Sequence, residues 1–182
     1  PSYKLEQNVV DAEIEVLREM GVEIRCGVEV GKDLTIDELR RQGYKAFYIA
    51  IGCQGGRMAG IPGEEADGVM TAVDFLRKVG EQEAYPVQGR AVVIGGGNVA
   101  IDVARTAGRC GAESVSMYCL EPRDAMPASQ EEIFEAEDEG VQIHCGWGPK
   151  EICTEDGKVT GIVLKKCVSV FDAEGSFCPV YD

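Results

Sequence analysis

Residues 90–121, RAVVIGGGNVAIDVARTAGRCGAESVSMYCLE, decide the fold. The apolar run Arg90–Ile94 reads as a strand, and it passes directly into three glycines. Asn98 to Cys110 has helical spacing and stops at Gly111, after which Ser114–Cys119 alternates as a second strand. Within this run Gly95, Gly97 and Ala100 satisfy G-x-G-x-x-A between a strand and a helix, the context that makes the motif informative. The first glycine permits a tight turn, the second lets backbone approach a pyrophosphate, and Ala100 lets helix and strand pack closely. Phosphates would then lie on the free N–H groups at the positive end of the helix starting near Asn98, and Gly95, Gly96, Gly97, Asn98, Val99 and Ala100 are the candidate nucleotide-binding residues.

Outward from this core the alternation continues. Ser129–Glu139 predicts a helix closed by Gly140, and Val141–Cys145 a third strand, so residues 90–145 predict parallel strands with right-handed crossovers. Glu151–Thr154, the turn Glu155-Asp156-Gly157, Lys158–Phe171 and Phe177–Val180 read as an antiparallel meander. Upstream, Asn8–Met20 predicts a helix with one buried side, Val22–Cys26 a strand, Thr35–Arg41 a helix opened by a capping box, and Ala46–Ile51 a buried strand. A Gly-rich loop from Gly52 to Pro62 and a helix over Thr71–Val79 follow, and the polar linker Gly80–Gly89 marks the expected domain boundary.

A dinucleotide site also needs a group for the adenosine ribose, ordinarily at the tip of the second strand about 20 residues on. Glu121 lies 21 residues after Ala100. Its carboxylate would accept hydrogen bonds from both ribose hydroxyls and repel a 2′-phosphate, which favours NADH over NADPH. Arg123 pulls the other way, since a guanidinium could hold that phosphate or stack on adenine. No Y-x-x-x-K pair or G-x-x-x-x-G-K-[ST] loop occurs, and the one histidine, His144, sits in an alternating strand as a structural residue. The sequence therefore offers a nucleotide site without a substrate acid or base, and no catalytic or metal-ligating residue is assigned.

Composition narrows the partners. The chain has 182 residues and a net charge of −14, which disfavours nucleic acid and anionic lipid. No apolar stretch approaches the roughly 18 residues of a membrane span. No signal pattern opens the sequence, so a cytoplasmic location is expected. Eight cysteines without a C-x-x-C spacing read as buried reduced thiols.

The run AVVIGGGNVAIDVARTAGRCGAESVSMY, then RDAMPAS and EDEGVQIH, resembles the pyridine-nucleotide domain of the glutamate synthase small-subunit family. The flavoprotein portion of dihydropyrimidine dehydrogenase is a relative. VVDAEIEVLREMGVEIRCGVEVGKDLTIDEL, YKAFYIAIGCQGGRMAGIPGEEADGVMTAVDFL and VFDAEGSFCPVYD extend the likeness over nearly the whole chain. The resemblance implies an NAD(P)H-dependent oxidoreductase containing FAD, with electrons passing to iron–sulfur centres or a partner subunit. Ala50, Ile51 and Gly52 match the family's strand-end motif against the flavin, and where many members carry two arginines this chain has Leu120 and Glu121. The expected fold is α/β: a Rossmann-like, three-layer nucleotide-binding domain with an antiparallel meander over 90–182, its last strand missing, and a partial FAD-domain segment over 1–89. The FAD pyrophosphate turn and the cysteine-rich iron–sulfur region would lie outside these residues, making the chain an interior fragment, inactive alone. A nucleotide-sensing module without turnover is the alternative.

Overall fold

The computed structural model describes residues 1–82 and 84–182, so Glu83, inside the expected linker, lies outside the described residues. Ser2–Gln54 and Gly55–Asp182 form separate compact units. In the first, helices α1 (Gln7–Glu19) and α2 (Ile36–Arg41) form where the apolar spacing and the capping box predict. Thr35 Oγ1 accepts from Glu38 N at 3.2 Å while the Glu38 carboxylate accepts from Thr35 N at 2.8 Å, satisfying two otherwise orphaned donors.

Burial in this unit departs from expectation. No residue of α1 is buried, and Val9, Val16 and Leu17 stand about half exposed, so the expected buried side is absent. Val22–Cys26 and Ala46–Ile51 form no strand, and Tyr48 is 94% exposed. An apolar run becomes a strand only beside another backbone that takes its N–H and C=O groups, and among the described residues of this unit only an isolated bridge between Val30 and Leu34 supplies such pairing.

The second unit holds the core. Helix α3 (Ala72–Glu81), whose N-cap Thr71 accepts from Asp74 N, buries Phe75 edge-on against Tyr85 with ring centroids 5.9 Å apart. Strand β1 (Arg90–Ile94), helix α4 (Asn98–Arg109), strand β2 (Ser114–Cys119), helix α5 (Gln130–Asp138) and strand β3 (Gln142–Cys145) follow in the predicted alternation. The strands pair in parallel in the order β1-β2-β3, with Arg90 opposite Ser114 and Ser116 opposite Gln142. Alternate residues of β2, Val115, Met117 and Cys119, are buried in one cluster with Ile101 and Ala104 of α4 and Ile133 and Ala136 of α5. The small alanines at these positions let helix and sheet approach closely. Because α3 packs on α4 and Phe75 joins this cluster, the packing boundary falls between residues 54 and 55, ahead of the linker.

Strands β4 (Trp147–Glu155), β5 (Lys158–Phe171) and β6 (Phe177–Tyr181) form the antiparallel meander. Asp156 and Gly157, with φ of 49° and 75°, make the β4–β5 turn, where paired positive φ values match the twist of a hairpin. His144 stacks on Tyr118 at 4.6 Å, a structural role. All eight cysteines are free, but only Cys119 and Cys167 are buried, and Cys26, Cys53 and Cys178 are exposed, correcting the expectation of buried thiols throughout. The exposed three lie outside the α/β core whose packing would enclose them. Among the described residues no helix is long and apolar enough to cross a membrane.

An ion cluster joins the far ends of α4 and α5. Arg105, 7% exposed, reaches Glu135 and Glu139, and Arg109 also binds Glu139. Hydrogen bonds from Arg109, and then from Arg105, hold the Glu139 carboxyl down at about 2, against the opposing effect of burial. A carboxyl depressed in the folded state contributes stability that is complete above its ordinary value near 4.5 and is lost as pH falls toward 2. Discounted for solvent screening, because Glu139 is open to water, the contribution is about 1–2 kcal/mol. Urea unfolding of the wild type and Glu139→Gln should differ by that amount at pH 7 and converge between pH 4.5 and 2. A difference independent of pH would assign the loss to packing alone.

Candidate functional site

The glycine turn sits where β1 gives way to α4, at the carboxyl edge of the parallel sheet. Gly95 adopts φ +139°, a conformation a side chain would resist, and donates its N–H to Tyr118 O at 2.9 Å. A Cβ on Gly95 would lie 3.4 Å from the Ala100 Cβ, so the small residue at position 100 keeps α4 close to the strand. Gly96 is buried, and a Cβ there would lie 2.9 Å from the Cys119 Cβ and 3.0 Å from the Glu121 carboxylate. Gly97 differs: it caps α4, and a Cβ on it would meet nothing within 4 Å. The turn is thus pressed against the protein at Gly96 and open at Gly97, which is what a pyrophosphate approaching from outside requires.

Ala100 N and Ile101 N bond back to Gly97 O, whereas the N–H groups of Gly97, Asn98 and Val99 have no protein acceptor among the described residues. Asn98 and Val99 are exposed. These amides, at the positive end of a 12-residue helix, fit the phosphates of a dinucleotide.

Glu121 follows β2, and its carboxylate lies against Gly96 as the spacing predicts. Its neighbour Leu120 turns away, with a methyl 2.7 Å from a Cβ built on Gly148 of β4. Arg123 begins a single 3₁₀ turn (Arg123–Ala125), and its guanidinium is bound to Glu137 of α5. The carboxyl ends of β2 and β3 border a cleft of about 320 Å³ whose walls include Leu120, Arg123, Cys145 and Val170. Cys119 and Cys145, in register on β2 and β3, bring their sulfurs to 3.7 Å. Burial first, and then Cys145, push the Cys119 thiol up to about 12, leaving it unreactive at neutral pH.

Met126–Ser129, part of the RDAMPAS segment and given no site role from the sequence, also reaches the turn. Ala128 N donates to Gly96 O at 3.0 Å and Ser129 N donates to Asn98 Oδ1 at 2.9 Å, so a strap from the β2–α5 connection ties down both ends of the turn. The buried Met126 and Ala128 anchor it. Its signals in the sequence are the apolar Met-Pro-Ala stretch inside an otherwise polar loop and the RDAMPAS likeness. The structure therefore brings Gly95 through Ala100 and Glu121 together and pairs Arg123 with Glu137. Ala50, Ile51 and Gly52 belong to the other unit, where all three are exposed and Ile51 is 84% so.

Comparison with known proteins agrees with this architecture. The profile of the family described as Pyridine nucleotide-disulphide oxidoreductase matches residues 5–178. The chain is 38% identical over 165 residues to the NADP(+)-dependent formate dehydrogenase subunit beta of Moorella thermoacetica, covering 89% of this chain and 23% of that one. It is 34% identical over 176 residues to the glutamate synthase [NADPH] small chain of Escherichia coli strain K12, covering 90% and 37%. The chain thus spans well under half the length of these relatives. Among solved structures, FprA from Mycobacterium tuberculosis superposes with a TM-score of 0.74 at 22% identity, covering 97% of this chain and 55% of that one, a likeness of fold. A profile that runs nearly end to end places the chain in the pyridine nucleotide-disulphide oxidoreductase family.

Proposed function

We propose that this chain is the pyridine-nucleotide-binding part of a flavin-dependent oxidoreductase that passes electrons from NAD(P)H through FAD to iron–sulfur centres or a partner subunit, as in the glutamate synthase small subunit. The observation that carries this reading is the pairing of an open Gly97 with unpartnered amides at Asn98 and Val99, beside a carboxylate at Glu121. Gly95, Gly96 and Gly97 hold the backbone in the cradle, the α4 amides take the pyrophosphate, and Glu121 takes the ribose hydroxyls, which gives the preference for NADH. When bound, the nucleotide and FAD would supply the hydride and electron chemistry, which the chain's own residues do not. The protein binds and orients, and no side chain of the site is assigned a proton transfer.

Residues 1–89 are assigned by lineage to a FAD-binding domain completed by other parts of the protein, although 55–89 pack with the nucleotide unit. Ala50, Ile51 and Gly52 would then lie against the flavin, which would account for an apolar run left uncovered in this structure. Names of relatives containing the word subunit support an electron-accepting partner, and the location proposed is the cytoplasm. The test is anaerobic mixing of the full-length protein with NADH while the visible absorbance band of the oxidised flavin is followed. Bleaching is expected. Tight nucleotide binding with no change in the flavin band would replace this reading with a nucleotide-sensing module.

A further inference from the structure

Arg123 is the one cation that follows the ribose-reading carboxylate closely in sequence, and the structure gives it another partner. Its guanidinium is in contact with the Glu137 carboxylate, both side chains a little over 40% exposed. Glu137 lies seven residues beyond Gln130, the first residue of α5, which at 1.5 Å per residue is roughly 10 Å along the helix. The opening of α5 is the end held near the glycine turn, because Ser129 N donates to Asn98 Oδ1 there. The ion pair therefore ties the guanidinium to the body of α5, while Glu121 stays against Gly96.

We propose that Glu137 is a specificity-determining residue, a positioning group that withholds Arg123 from the 2′-phosphate of NADPH. The inference rests on the proposed placement of a dinucleotide at the Gly95–Val99 turn and deepens it. A 2′-phosphate can recruit Arg123 only by taking it from Glu137, so the two anions compete for one guanidinium. NADH, with a bare 2′-hydroxyl, does not enter that competition. Because the pair is half exposed, it holds its cation weakly, by a factor of roughly two to five. Glu137 is thus a moderate bias added to the repulsion from Glu121, and the bias weakens as salt screens the pair.

Calorimetric titration of the full-length protein with NADH and with NADPH tests this. Glu137→Gln should tighten NADPH binding roughly two- to fivefold and leave NADH unchanged, a split that a merely structural role would not produce. Adding Arg123→Ala to Glu137→Gln should return the ratio of dissociation constants to its starting value, and Glu137→Asp, which keeps the charge, should retain most of the bias. A ratio unmoved by Glu137→Gln, or a gain that survives removal of Arg123, would overturn the proposal. A wild type that binds neither nucleotide would overturn the site itself, and this inference with it.

Discussion

Gly97→Val should fold as the wild type does and lose nucleotide affinity by at least about a hundredfold, or about 2.7 kcal/mol. The expectation of an intact fold comes from the backbone: Gly97 has φ −94° and ψ 173°, extended values open to any residue, and a Cβ there meets nothing within 4 Å. The expectation of lost binding comes from the same space, since the volume a valine would occupy is the volume the pyrophosphate needs. The contrast is Gly96, where even a methyl group would lie 2.9 Å from the Cys119 Cβ and so disturb the protein before any ligand arrives. Titration calorimetry beside thermal unfolding separates the two effects. Unchanged affinity in a folded Gly97→Val protein would make the turn a structural feature only.

Glu121→Arg should move nucleotide preference from NADH toward NADPH. Of the adjacent positions 120 and 121, only Glu121 faces the glycine turn, because Leu120 is committed to the contact with Gly148. A 2′-phosphate within reach of that carboxylate would meet a like charge, a juxtaposition that costs on the order of a few kcal/mol. The wild type should accordingly favour NADH by roughly tenfold or more. The substitution removes the repulsion and supplies a guanidinium suited to phosphate. The measurement is the ratio of dissociation constants, or of kcat/KM in the full-length protein, before and after the change. A wild type that already favours NADPH, with a ratio indifferent to Glu121→Arg, would mean that another group reads the ribose.

The parts of the molecule legible in sequence are those whose determinants are local. Strands over 90–94 and 114–119, the helix between them and its stop at Gly111 follow from residues that are neighbours along the chain, and the structure places them as read. The juxtaposition of Glu121 with the glycine turn was also legible, because the length of one strand–helix–strand unit sets the distance from Ala100 to the strand tip. The apolar run Ala46–Ile51 misled for the complementary reason. Its composition specifies a preference for burial, but pairing needs a second backbone, and composition does not say whether one is present. The α1 stripe at Val9, Val16 and Leu17 misled in the same way. Partners distant in sequence were not legible: nothing near Arg123 announces Glu137, and nothing near Gly96 announces Ala128.

The strap across the glycine turn bears on how quickly a nucleotide can be captured. Gly96 O and Asn98 Oδ1 take their donors from the chain itself, so the turn is tied down by protein bonds that an arriving anion need not supply. Arrival then waits on encounter and orientation, without a slower reshaping of the loop ahead of them. The net charge of −14 acts on that encounter by repelling a dinucleotide at long range, and added salt relieves the repulsion. With the turn strapped and the chain acidic, nucleotide association is expected to quicken as ionic strength rises.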